Sequence, residues 1–148
     1  MDFRAQAHPN AFKMTDSLQQ VLDALPPAFA GKKSVRDAAS AVVHDDEATL
    51  QTQMELTRIP APPFREGERG LRMAELFRES GLTRVRTDSV GNVLAELPRG
   101  APGRPLILSA HLDTVFPEAT PISVSREGDR MTGPGIADDG RGLAVIVA

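Results

Sequence analysis

Two short segments carry side chains suited to binding a metal ion. In the first, His111-Leu112-Asp113-Thr114 follows the apolar run Pro105-Leu106-Ile107-Leu108-Ser109-Ala110. In the second, Asp138-Asp139-Gly140 follows the glycine-rich stretch Gly133-Pro134-Gly135-Ile136-Ala137. A neutral imidazole is a good zinc ligand, because one nitrogen coordinates while the other donates a hydrogen bond. A carboxylate that accepts this bond fixes the tautomer and raises the ligand's basicity. Asp113 is two residues from His111, so on extended backbone both project to the same side. Asp113 is therefore the natural orienting partner. Glycines let the second segment approach a ligand closely, and a carboxylate there can bridge two cations about 3.5–4 Å apart. Each segment alone has a plainer explanation. A histidine at a strand end is commonly a polar edge residue, and Asp before an apolar helix is a good N-cap.

The elements that position these residues are legible from periodicity and breakers. Residues 1–15 are polar and irregular, and are expected to fray. A helix is expected over 16–25, ended by Pro26-Pro27. Ser34 is placed to cap a second helix, which continues or restarts near Asp45 and runs to Ile59. Pro60, Pro62 and Pro63 enforce an extended loop. Another helix is expected over 66–80, with Gly81 as its stop. Strands follow at 83–87 and 92–97, joined by Ser89-Val90-Gly91-Asn92. Consecutive apolar residues at 106–108 predict a strand buried on both faces, and residues 122–125 and 130–132 predict a hairpin around Gly128. In open α/β sheets, ligand sites lie beyond the carboxyl ends of strands, which is where His111 falls. A helix starts at Asp139 or Gly140. This order predicts a layered α/β fold.

Composition narrows the function further. The chain has 148 residues, 41% of them apolar, enough for one domain with a core. It has no cysteine, so any metal site needs His, Asp or Glu. A net charge of −3 gives no reason to expect nucleic acid or a membrane surface as partner. No apolar run approaches a membrane span, and the first residues lack a signal peptide's apolar core. A cytoplasmic protein is the expectation. His8 and His44 lie in polar surroundings. Gly133-x-Gly135 lacks dinucleotide-fingerprint spacing, and Ser109 lacks the glycines of a nucleophile elbow.

Read together, the segments at 111–115 and 135–142 resemble the co-catalytic dizinc peptidases and amidohydrolases, the relatives of glutamate carboxypeptidase, peptidase T and aminoacylase. Ile59-Pro60-Ala61-Pro62-Pro63, Glu66, Gly81-Leu82 and Asp88-x-x-Gly91-Asn92 add to the likeness, which covers roughly residues 45–148. Residues 1–44 form a helical N-terminal extension outside it. The resemblance implies a layered α/β/α catalytic domain. It implies that His111 ligates one zinc, Asp113 orients His111, and Asp138 bridges both zincs, with a cis link to Asp139. Arg141 stands where the family often has lysine. The implied reaction is hydrolysis of a peptide or other amide bond, with a glutamate handling the water's proton. Peptides or N-acyl amino acids would be the substrates, a homodimer the complete enzyme. Cobalt or manganese suit the same ligands.

The likeness also implies what is missing. The family's glutamate pair, a later acidic ligand and a final histidine lie downstream, and this sequence ends at Ala148 with no Glu-Glu pair. Zinc sites normally have at least three protein ligands. The expectation is a truncated, N-terminal part of such an enzyme, binding zinc weakly, inactive alone and poorly soluble because apolar strand surface is left open. The alternative is a non-catalytic α/β binding domain with a vestigial metal site.

Overall fold

The computed structural model describes residues 22–98 and 104–148. The chain divides into two compact units, Met1–Asp46 and Glu47–Ala148. Of the helix expected over 16–25, residues 22–24 are helical, while residues 16–21 lie outside the described residues, as do residues 1–15.

In the first unit, Pro27 opens helix α1 (Pro27–Ala30), since proline's fixed φ suits a first helical position. Helix α2 (Lys33–His44) starts one residue before Ser34, so Ser34 lies inside the first turn and caps nothing. Lys32 takes the cap position without a side-chain bond. Arg36 instead secures the junction by donating from Nη1 to the Gly31 carbonyl at 2.8 Å. Neither helix has a buried residue.

The second unit holds the core. Helix α3 (Asp46–Arg58) restarts after Asp45 and buries Thr49, Gln53, Met54, Leu56 and Thr57. Helix α4 (Gly67–Glu79) buries Arg69, Gly70, Met73, Ala74, Leu76 and Phe77 along one stripe, and Gly81 follows at φ 77°. Strands β1 (Thr83–Thr87) and β2 (Val93–Glu96) pair antiparallel, with an irregular register between Thr83 and Arg86. Their connection is held by Asp88, whose Oδ1 accepts from the Val90 and Asn92 amides at 3.0 and 2.9 Å. Strands β3 (Ser125–Glu127) and β4 (Arg130–Thr132) form the second hairpin. Its first strand lies three residues later than the sequence predicts, so the turn is the tight Gly128-Asp129 pair. Helix α5 (Gly140–Val147) closes the described chain. Leu56, Met73, Leu76, Phe77 and Leu143 form the core, with Ala110 and Leu112 packed against it. The architecture is mixed α/β.

One expected element is absent. Residues 105–110 are not a strand, and Leu106, Ile107 and Leu108 are 85%, 83% and 71% exposed rather than buried. A strand needs a neighbour for its N–H and C=O groups. Among the described residues the two sheets are separate hairpins, and neither pairs with this run.

Candidate metal centre

Two loops bring the predicted residues together. His111 lies where the chain re-enters the core after the exposed run, fixed by Ala110 and Leu112 on either side. Its Nε2 is 2.9 Å from Asp138 Oδ1. Its Nδ1 is 2.9 Å from the Asp113 carbonyl oxygen and 3.2 Å from Asp113 Oδ1. Asp113 therefore stands on one side of the ring and Asp138 on the other. Contact with Asp113 runs through its backbone oxygen as well as its carboxylate, a feature that side-chain spacing did not foretell.

The His111 imidazole has its pKa raised. The Asp138 carboxylate is the largest cause, partial burial opposes it, and Asp113 adds to the rise.

Asp138 and Asp139 divide two tasks. The peptide between them is cis, as the family likeness implies. Asp139 is the N-cap of α5, accepting from the Gly142 amide at Oδ1 over 3.0 Å. Its Oδ2 faces the His111 amide at 3.3 Å. The ordinary capping role thus falls to Asp139, and Asp138, highly exposed, is left to face the imidazole.

The supports of these loops were missed in the sequence. Buried Gln53 donates from Nε2 to the Ile136 carbonyl at 2.7 Å, and Arg141 donates to Gln53 Oε1 at 3.3 Å. Thr114, also buried, donates its amide to the Ala61 carbonyl at 2.8 Å. Gly135, at φ 74°, leaves room for Thr114: a Cβ there would lie 2.9 Å from Thr114 Cγ2. Arg69 is 1% exposed and bonds the carbonyls of Ile59 and Leu112. Burial pulls its pKa down, and the charge of Asp113 opposes that. The available signal was position: Arg69 shares a helical stripe with Met73, Leu76 and Phe77, and Gln53 shares one with Thr49, Leu56 and Thr57. Of the other histidines, His44 is exposed and His8 lies outside the described residues.

Residues 92–148 match the model of peptidase family M28. Over 83 residues the chain is 40% identical to carboxypeptidase G2 of Pseudomonas sp. (strain RS-16), a match covering 50% of this chain and 19% of that protein. Both matches are to peptidases, so the chain is similar to peptidases over these residues. It spans about a fifth of the relative's length, as the 19% coverage states. His111, Asp113, Asp138 and Asp139 all lie inside the stretch matched to the peptidase family.

The donors can be tested against zinc on their own chemistry. An imidazole nitrogen and a carboxylate oxygen are ordinary zinc ligands at roughly 2.0–2.2 Å, so two of them on one tetrahedral ion stand about 3.4 Å apart. The 2.9 Å between His111 Nε2 and Asp138 Oδ1 is a hydrogen-bond distance, shorter than that separation, so the two groups would part slightly around an ion. The fit is therefore good in kind, near in spacing and limited in number. Among the described residues no group of three or more His, Cys, Asp or Glu is arranged to hold a metal ion.

Proposed function

We propose that His111 and Asp138 are metal ligands, and Asp113 the orienting carboxylate, of a zinc-dependent hydrolase acting on peptide or amide bonds. The observation that carries this reading is the convergence of His111 Nε2 and Asp138 Oδ1 at 2.9 Å on an exposed face. The unit Glu47–Ala148 would be part of a layered α/β/α catalytic domain, and peptides or N-acyl amino acids the substrates. Bound zinc would supply Lewis acidity toward a carbonyl and toward water. The chain's own residues present the donors: Asp113 holds the ring at Nδ1, which leaves Nε2 directed at Asp138. Asp139 is committed to the α5 amide at Gly142 and so keeps the second carboxylate out of the donor set.

Two donors fall short of the three that zinc normally takes from protein. The expectation is weak zinc binding and no hydrolysis by this chain alone. Calorimetric titration of zinc into the chain tests the reading. His111→Ala and Asp138→Asn should each weaken binding by about tenfold or more, the loss seen even for residues that only support a ligand. Unchanged affinity in both variants would refute the ligand assignment. Zinc-dependent turnover of a peptide or N-acyl amino acid by the unaltered chain would refute its inactivity.

A further inference from the structure

We infer that Arg69 is a positioning residue for this centre: its buried guanidinium ties the end of α3 to the Leu112 carbonyl and so sets the direction of His111 and Asp113. This extension rests on the metal-ligand reading above for its catalytic meaning, but the clamp itself is a feature of the fold.

The geometry is specific to arginine. Nε and Nη2 both donate to the Ile59 carbonyl, at 3.1 and 2.5 Å. Nη1 donates to the Leu112 carbonyl at 2.7 Å. One flat fork therefore reaches two backbone acceptors in different directions, which an ammonium on a flexible stem does not reproduce. The Leu112 carbonyl belongs to the peptide unit joining Leu112 to Asp113. Holding it fixes the plane from which Asp113 departs, and Asp113 meets His111 Nδ1 through both its carbonyl and its carboxylate. A second bond, from the Thr114 amide to the Ala61 carbonyl at 2.8 Å, runs beside the clamp and joins the same two segments.

The cost of placing arginine here also argues for a use. A guanidinium with 1% exposure surrenders its hydration, and its hydrogen bonds go to neutral carbonyls rather than to a carboxylate. An aliphatic residue would continue the Met73, Leu76, Phe77 stripe at that position and serve packing alone. It would leave the Ile59 and Leu112 carbonyls without these donors.

The test compares Arg69→Lys and Arg69→Met with a core control, Leu76→Ala, in the full chain. Two readouts are taken: amide hydrogen exchange, and cobalt(II) titration followed by visible absorption. In Arg69→Lys, exchange at the Thr114 amide should rise about tenfold more than at the Leu82 amide, which bonds the Phe77 carbonyl at 2.9 Å. The cobalt midpoint should rise about tenfold, as for other groups that orient a ligand. Leu76→Ala should lower the melting temperature and loosen both amides together, with little change in the cobalt midpoint. Equal loosening of both amides in Arg69→Lys, or a cobalt shift in Leu76→Ala as large as in Arg69→Lys, would overturn the inference. If the unaltered chain takes no cobalt, the metal reading fails, while a Thr114-selective response still establishes the clamp. If both Arg69 variants fail to fold, the unaltered chain decides. Scalar coupling across the hydrogen bond from Arg69 Nη1 to the Leu112 carbonyl carbon supports the clamp, and its absence refutes it.

Discussion

Replacing Gly140 by alanine would press directly on the loop that carries Asp138. Gly140 is the first residue of α5, and its amide bonds the Gly135 carbonyl at 3.1 Å. A Cβ at this position would lie 2.6 Å from Thr57 Oγ1 and 3.0 Å from the Gly135 oxygen. Neither neighbour yields cheaply. Thr57 is 1% exposed and its hydroxyl donates to the Gln53 carbonyl at 2.7 Å, so turning it away abandons a buried hydrogen bond. The Gly135 oxygen is backbone. Overpacking of this kind costs about 1–3 kcal/mol. Alanine's better helix propensity returns at most about 1 kcal/mol. The net expectation for Gly140→Ala is a loss of about 1–2 kcal/mol, each kcal/mol lowering the melting temperature by roughly 4–8 °C in a unit of this size. Thermal and urea melts of the full chain, followed by circular dichroism, measure it. Thr57→Ala removes the clashing oxygen, so the double variant should recover about 1 kcal/mol relative to the sum of the singles. Gly140→Ala as stable as the parent would refute the steric argument. So would additivity of the two changes within about 0.5 kcal/mol.

Three other outcomes are expected. Leu56→Ala removes a side chain with 0% exposure from the centre of the core and should cost about 2–5 kcal/mol in a urea melt. Arg72 meets Glu55, Glu75 and Glu79 at 2.5, 3.0 and 3.1 Å, linking α3 to α4; Arg72→Met should cost about 1 kcal/mol in dilute buffer, and a loss unchanged in 1 M salt would argue against an electrostatic origin. The Asp88 carboxyl is held below its ordinary pKa chiefly by the Asn92 side chain, against the opposing effect of desolvation, with the Asn92, Val90 and Gly91 amides adding to the fall. Because the folded pKa is the lower one, the turn's contribution is present above the unfolded pKa and lost as pH falls through the folded value. NMR titration should place the Asp88 midpoint below about 3.9, with the Val90 and Asn92 amides reporting it, and a midpoint at or above that value contradicts the turn geometry.

The legible parts of this chain were those decided by near neighbours in sequence. The helix expected over 66–80 forms as Gly67–Glu79, because its apolar stripe and the glycine that stops it are local. The hairpin at 83–97 was readable for the same reason: the turn residues Ser89-Val90-Gly91-Asn92 lie between its two strands. His111, Asp113 and Asp138 stood out by residue type, and the fold brings all three within hydrogen-bond reach.

Tertiary structure alone settled the rest. Apolar content at 106–108 says that the run favours burial, but strand formation requires a partner, and the described sheets provide none. The family likeness singles out Asp138 of the pair Asp138-Asp139; the physical reason is the start of α5, which gives capping to Asp139 and leaves Asp138 facing His111. Arg69 and Gln53 are residue types that ordinarily face solvent, although each falls on the buried stripe of its helix. They are internal because their bonding partners, the Leu112 and Ile136 carbonyls, lie 43 and 83 residues away. Residue types thus determined which chemistry this protein could hold. Long-range backbone acceptors, invisible in any local pattern, decided how the groups that hold it are aimed.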